Sequence, residues 1–377
     1  MPSPIPAKVT LVKLETAADA ASPEAQYLLS WVVAQARQVW AEVAVQRQLP
    51  EAPVAAPKDG SDVLLLGAGN VLVARRSLAA MAARRAAGAL VVVPVPLHSV
   101  IKAEDEPLYS LRGFERLESR GLADPAAAPA PARLLPISLL AGEAVRLHSP
   151  QSPVEPLPVP ADQLARAGVC HHFVDYYGEV REDVLPFVPP HARNVLEVGC
   201  GNGATGRFLQ ERLGCRVTGV ELNPAAAAAA AEHLHRVVCG DVAQVELAGD
   251  FDAIVALELF EHLPDGEAVL RRLASHLRPG GRIVLSVPNV GHHSVVADLL
   301  AGRWDYLPIG LLCYTHYRFF TRRTLEDWMR RLGFTQVELV PQRTELPASF
   351  VAVAAHGGLE VDAESLSTKG FYVLIEA

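Results

Sequence analysis

The stretch VLEVGCGNGATG, Val195 to Gly206, constrains this chain more than any other. Val195, Leu196 and Val198 read as a buried strand, Gly199, Gly201 and Gly203 as a tight turn, and the residues after Gly203 as the start of a helix. A strand, a glycine turn and a helix in that order bring backbone N–H groups close to a nucleotide-like ligand, because no Cβ atom stands in the way. Glu197 closes the strand just before the glycines. A carboxylate there would repel a pyrophosphate and attract an ammonium group. Gly201, Gly203 and Gly206 also satisfy G-x-G-x-x-G, the dinucleotide pattern, so this stretch alone leaves both ligands open.

The segments that follow narrow the choice. CRVTGVELNP, Cys215 to Pro224, is a second strand that ends in Glu221, roughly 20 residues past the glycines, where an acid can bind ribose hydroxyls. HRVVCGD gives a third strand ending in Asp241, and FDAIVALELFEHL, Phe251 to Leu263, a fourth with Glu258 at its end. LRPGGRIVLSVPN, Leu277 to Asn289, reads as helix end, turn and fifth strand. In an open α/β sheet the ligand crevice lies beyond the carboxyl ends of the strands, which is where Glu197, Glu221, Asp241, Glu258 and Asn289 fall.

The pattern E-x-G-x-G-x-G resembles motif I of the class I S-adenosylmethionine methyltransferases, and the four later segments resemble the rest of that family in the same order. The resemblance covers about half the chain, from roughly Gly168 to Pro341. It implies an α/β fold, a Rossmann-like and mostly parallel sheet with an antiparallel end formed by TQVELV and FYVLIEA. It also implies S-adenosylmethionine as cofactor. The cofactor would be held by Glu197, Gly199, Cys200, Gly201, Asn202, Gly203, Glu221, Leu222, Asp241, Val242 and Glu258, under a cover that includes Tyr177. Within the family pattern, Asp241 faces the adenine amino group.

Methyl transfer to a hydroxyl needs alignment and a base, and histidine suits the second task near neutral pH. Four candidates lie in suitable loops: His262 after the fourth strand, His292 and His293 after the fifth, and His316 in YTHYRFFT. His262 belongs to the family's EHL turn and is read as structural. SVPNVGHHSV and THYRFFT resemble segments of a quinone-biosynthesis-like subgroup often found beside or fused to glycosyltransferases. That subgroup usually has a histidine at His292 and often an aromatic at His293, while Tyr314 replaces a usual arginine. The base is therefore assigned to His292 or His293, and the substrate segment to His316, Arg318 and Tyr314, with Arg318 a substrate contact or a structural anchor. A sugar or glycan hydroxyl is the first expected acceptor and a phenolic or quinone-like metabolite the second. A noncatalytic S-adenosylmethionine-binding partner protein is the third reading.

Composition excludes several other classes. With 377 residues, half of them hydrophobic, the chain can fill two cores. A net charge of -8 argues against nucleic acid as the main partner. Five scattered cysteines without C-x-x-C or zinc-ligand spacing suggest neither a disulfide framework nor a metal site, so no metal is expected. The start has no apolar run behind a basic flank, and Ala89 to Leu97 is too short to span a bilayer, so a cytoplasmic protein is expected.

SPQSPVEPLPVPAD, within residues 149–162, reads as a proline-rich linker between a small α/β domain of residues 1–148 and a methyltransferase domain of residues 163–377. In the first domain, AKVTLVKLE, DVLLLGAGN and ALVVVPV read as strands, Ala25 to Gln46 and Ala74 to Ala87 as helices, and GAGN as a structural turn. In the second, the sequence predicts a leading helix over Ala165–Val184, a helix over Thr205–Leu213 stopped by Gly214, and one capped by Asn223. A homodimer or a glycosyltransferase partner is compatible with the resemblance.

Overall fold

The computed structural model describes residues 7–14, 17–48, 54, 57–66, 70–96, 137–140, 164–173, 177–307, 310–356 and 361–376. The proline-rich segment of residues 149–162, the alanine-proline stretch Ala123–Pro131 and the turn residues Gly67–Gly69 lie outside them. The chain forms two units, Met1–Tyr176 and Tyr177–Ala377.

The first unit is built on a mixed seven-stranded sheet. Its strands are β1 (Lys8–Leu14), β2 (Glu42–Gln48), β3 (Asp62–Leu66), β4 (Asn70–Leu72), β5 (Val91–Pro96), β6 (Ile137–Leu140) and β7 (Leu164–Phe173), in the spatial order β2-β1-β3-β6-β5-β7-β4. β1 pairs in parallel with both β2 and β3, the crossover arrangement that strand, helix, strand implies. Val9, Leu11 and Leu64 on one face pack against Leu28 and Val32 of the helix Pro23–Ala36 and Leu78 and Met81 of the helix Arg75–Ala86. Val12, Val63, Leu65 and Val91 fill the other face.

Two sequence expectations are corrected here. The helix expected over Ala25–Gln46 ends at Ala36, and Glu42–Gln48 is instead an edge strand. Val39 and Val43 continue the helical spacing, but Val43 and Val45 alternate along a strand, and seven residues of parallel pairing with β1 decide between the two periods. The leading helix expected over Ala165–Val184 is also absent. Residues 164–173 form β7, paired in parallel with Val91–Pro96 and antiparallel with β4, so the division falls after Tyr176 and not within residues 149–162.

The second unit has the strand order β10-β9-β8-β11-β12-β14-β13. β8 (Asn194–Val198), β9 (Arg216–Glu221), β10 (Arg236–Cys239), β11 (Phe251–Leu257) and β12 (Leu277–Pro288) are parallel. β14 (Thr368–Glu376) runs antiparallel between β12 and β13 (Val337–Arg343). This is the Rossmann-like, mostly parallel sheet with an antiparallel end. The central strands are apolar on both faces because helices cover both, as parallel sheets require. Ile254, Ile283 and Leu285 meet Leu325, Trp328 and Met329 of the helix Arg322–Leu332, which Thr321 caps. Val195, Val217 and Val255 meet Leu209 of the helix Ala204–Leu213 on the other side. That helix ends at Gly214 with a φ of 64°, the left-handed cap expected of a glycine there. Among the described residues, no helix is long and apolar enough to cross a membrane.

Candidate functional site

The carboxyl ends of β8, β9, β10 and β11 place Glu197, Glu221, Asp241 and Glu258 side by side along one edge of the sheet. Between β8 and the helix Ala204–Leu213 the chain turns through Gly199, Gly201 and Gly203, each with positive φ. Gly201 is required for a second reason: a Cβ there would collide with the carbonyl oxygen of Tyr177. The same carbonyl accepts from the Asn202 amide at 2.8 Å, and the Asn223 amide group donates to the Tyr177 hydroxyl at 3.1 Å. Tyr177 thus straps the glycine turn to the end of β9, although no leading helix carries it.

Glu221 is the organising group. Its Oε2 accepts from the Gly201 amide at 2.9 Å and its Oε1 from the Asn223 amide at 2.8 Å. Two amides fix the plane of a buried carboxylate, and each oxygen keeps a second lone pair for a ligand hydroxyl. The next residue, Leu222, is 69% exposed, an aliphatic surface beside an acid. Asp241 accepts from the Ala243 amide at 2.8 Å and from the Gln244 side chain at 3.1 Å. Glu258 has a φ of 48°, the one non-glycine residue in the left-handed region among those described. Ser286 of β12 donates to its Oε1 at 2.7 Å and receives its amide, which holds the strained turn in place.

Two of the residues expected at the cofactor are buried. Glu197 points inward, with its carboxyl beside the Gly206 amide, and a Cβ on Gly206 would strike it. Burial first, and the Glu221 charge after it, push its pKa up to about 8. The shift favours the neutral form beside the helix start. Cys200 likewise turns its thiol into the core, against Gly219, where burial raises its pKa. A pH dependence follows from Glu197. The folded group stays protonated up to about pH 8, whereas the unfolded group releases its proton above its ordinary value of 4.5. Stability from this group is therefore present at low pH and is lost as pH rises from 4.5 towards 8. Glu197→Gln is expected to flatten the decline in melting temperature over that range; an unchanged slope would show that Glu197 is already charged.

The histidines separate into distinct roles. His292 caps the helix His293–Leu300 and is wholly buried. Its Nδ1 bonds Ser294 at 2.8 Å and its Nε2 bonds Thr344 at 2.9 Å. Burial, then the neighbouring His293, holds its pKa down to about 3. Both ring nitrogens are thus engaged by hydroxyl groups within the fold. His293 lies half-buried in the first turn of that helix, its ring 4.1 Å from that of His292 and 6.2 Å from Phe350.

The substrate segment is tied down by its backbone. The amides of Tyr317 and Arg318 both donate to the Glu261 carbonyl, at 2.8 and 3.2 Å, and Arg318 Nη2 donates to the Pro264 carbonyl at 2.8 Å. Arg318 is thereby an anchor of this segment. Tyr314 donates its amide to Leu307 and is half-buried. His316 packs edge-on against His262 with ring centroids 4.6 Å apart, and burial, then the His262 ring, lowers its pKa to about 3. Beside them Glu261 is fully buried, and burial, then the Glu258 carboxylate, raises its pKa well above the usual range. Glu261, His262 and His316 could hold a metal ion, their ligand atoms lying within 4.8 Å of one another. Sequence spacing gave no sign of this, because His316 comes from a separate segment.

Sequence reasoning also missed Arg181, Ser286 and Tyr372. Arg181 pairs with Asp183 at 3.0 Å and donates to the Tyr372 hydroxyl at 2.8 Å, close enough to Glu258 to feel its charge. No motif marks these residues. They meet only because β14 inserts next to β12.

The edge of the sheet therefore defines a class: a Rossmann-like domain with an acidic nucleoside crevice that has no cationic group for a pyrophosphate among its strand-end residues. Residues 170–339 match the family described as "Methyltransferase domain". The chain is 33% identical over 163 residues to "Ubiquinone biosynthesis O-methyltransferase" of Xanthomonas axonopodis pv. citri, covering 40% of this chain and 66% of that protein. It is 31% identical over 160 residues to the protein of the same name from Pseudomonas aeruginosa, covering 39% of this chain and 67% of that one. The chain spans 66% and 61% of the lengths of two Xanthomonas relatives. A crystal structure of a SAM-dependent methyltransferase from Archaeoglobus fulgidus aligns with a TM-score of 0.40 at 18% identity, covering 52% of this chain and 90% of that one. The chain belongs to the methyltransferase-domain family, and S-adenosylmethionine is its cofactor.

The residues present fit that cofactor. Glu221 would offer fixed lone pairs to a ribose diol, exposed Leu222 would offer apolar surface to a flat base, and the glycine turn leaves room for backbone approach. Three strand-end acids, Glu221, Asp241 and Glu258, give the crevice a negative field that favours a ligand carrying ammonium and sulfonium charge.

Proposed function

We propose that this chain transfers a methyl group from S-adenosylmethionine to a hydroxyl of a phenolic or quinone-like small molecule. The observation that carries the reading is the row of acids at successive strand ends, with Glu221 held by two backbone amides beside exposed Leu222. The choice of acceptor rests on the relatives, which bear the name O-methyltransferase of ubiquinone biosynthesis. A sugar hydroxyl, the first expectation from sequence, has no comparable support among them.

When bound, the cofactor supplies an electrophilic methyl group on a sulfonium with a neutral thioether as leaving group. The protein's share is positioning. Glu221, Leu222 and Asp241 orient the nucleoside, Tyr177 closes the turn, and the rigid strand ends keep the acceptor side in register. Of the two candidate bases, we take His293, in the turn that follows β12. A phenolic hydroxyl lowers the demand on that base, since its own proton is more acidic than that of a sugar.

Calorimetry with S-adenosylhomocysteine and with NAD tests the cofactor, and transfer of labelled methyl to a catechol, a phenol and a hexose tests the acceptor. We expect binding of S-adenosylhomocysteine alone and label in the phenolic products. Tight NAD binding without a homocysteine-nucleoside signal would overturn the reading, and label in the hexose alone would overturn the acceptor class.

A further inference from the structure

The amino ends of the parallel strands gather a second set of polar side chains, at the opposite end of the sheet from the cofactor crevice. Asn194 opens β8, Arg216 opens β9, Arg236 opens β10, and Arg278 is the second residue of β12. Register sets the first three side by side. Asn194 pairs with Arg216, and Arg236 pairs with Thr218, which lies two residues along β9 and so on the same face as Arg216. With residues 248–250 they line a groove of about 250 Å³.

The charges in this groove do not balance. Arg278 is answered by Asp252, whose Oδ1 accepts from its Nη1 at 2.9 Å. The other oxygen of Asp252 accepts from the amides of Arg193 and Asn194, at 2.8 Å each. Arg216 meets only the neutral Oδ1 of Asn194, at 2.9 Å. The Arg236 guanidinium has no hydrogen bond or ion pair among the described residues, and neither has the Thr218 hydroxyl. The amides of Gly249 and Asp250 donate to no described group, and the space beside the Gly249 Cα is open. Asp250 is the one acid in the lining, and it is exposed. Two guanidiniums without a carboxylate therefore share one groove, in a chain whose net charge is -8.

We propose that this groove is a binding site for a small soluble anion bearing a phosphate group, held between the Arg216 and Arg236 side chains. A carboxylate is satisfied by a single guanidinium fork, whereas a tetrahedral phosphate presents oxygens to two forks at once. The spacing suits this. Strand separation and rise root the two arginines roughly 8 Å apart, within reach of one ion between their ends. The Thr218 hydroxyl and the Gly249 amide supply neutral donors beside them. None of the exposed large apolar side chains among the described residues lines the groove, so nothing there would enter a membrane alongside a lipid headgroup. The inference goes beyond the methyl-transfer reading and uses no residue at the carboxyl ends of the strands.

The test titrates the full chain by calorimetry with inorganic phosphate and with glucose 6-phosphate at low salt, and sediments it with phosphatidylglycerol vesicles. A soluble phosphate is expected to bind at one site per chain and to raise the melting temperature. Arg236→Ala breaks no side-chain contact among the described residues and should weaken binding roughly tenfold or more. Adding Arg216→Ala should bring the loss to roughly a hundredfold. Asp250→Asn should act in the other direction and tighten inorganic phosphate roughly threefold, because it removes a like charge. Arg330→Ala, at an exposed ion pair elsewhere, should change nothing. Absence of binding by both soluble phosphates at millimolar concentration, unchanged affinity in Arg236→Ala, or binding to vesicles alone would overturn the site. Titration of the same variants with S-adenosylhomocysteine reports the cofactor crevice separately. Loss of that signal with phosphate binding intact would count against the methyltransferase reading and not against this one.

Discussion

Replacement of Glu221 by alanine is expected to weaken binding of S-adenosylhomocysteine by roughly a hundredfold, measured by calorimetry. Charge-assisted hydrogen bonds to a ligand contribute about 1.5–3 kcal/mol, which corresponds to roughly 10- to 150-fold. The loss should sit at the upper end. Under the proposed function Glu221 would contact the ligand, and it fixes the amides of Gly201 and Asn223, so the variant would loosen the glycine turn as well. A parallel melting curve separates this from unfolding. Unchanged affinity in a folded variant would mean that the crevice binds its ligand elsewhere.

The second large effect concerns the base. His293→Ala is expected to slow turnover roughly a hundredfold while leaving affinity for S-adenosylhomocysteine nearly intact. His292→Ala should act differently. It removes the helix cap on Ser294 and the bond to Thr344, so it should cost about 1–3 kcal/mol of stability. Its sign with pH is also distinct. His292 is neutral when folded down to about pH 3, whereas the unfolded residue takes up a proton below 6.5. The wild type therefore loses stability from this group as pH falls from 6.5 towards 3, and the variant should lose that part of its acid sensitivity. Wild-type turnover in His293→Ala would reject a histidine base in this turn, leaving alignment of an acidic phenol as the remaining source of rate.

The second unit was legible in sequence because parallel strands put their chemistry at one end. Each run of aliphatic residues that closes on Glu197, Glu221, Asp241 or Glu258 marks a strand and the end at which it stops. Helix ends were equally readable where one residue type is demanded, as at Asn223 and Gly214. What was illegible depended on distant partners. β7 has the sequence LARAGVCHHF, with a single β-branched residue, and its pairing with Val91–Pro96 makes it a strand. β2 follows a helix whose apolar spacing Val43 continues, and its pairing with β1 makes it a strand. The burial of His292 depends on Thr344, and the grouping of Glu261 with His316 on a segment that returns across the sheet edge. Glu197 was legible in its position but not in its direction. Strand alternation places a side chain on one face or the other, and only the packing of the Ala204–Leu213 helix shows that this one is closed over.

The place of β14 between β12 and β13 bears on how the protein comes into being on the ribosome. β13 precedes β14 in the chain, yet among the described residues β14 is its one strand neighbour in the sheet. During synthesis β8 to β12 can pair as they emerge, but β13 has no edge to dock on until residues 368–376 have been made. Until then the outer edge of β12 stays open to any other extended chain. Nascent chains halted before residue 368 should therefore be more prone to self-association and protease attack than chains released after β14.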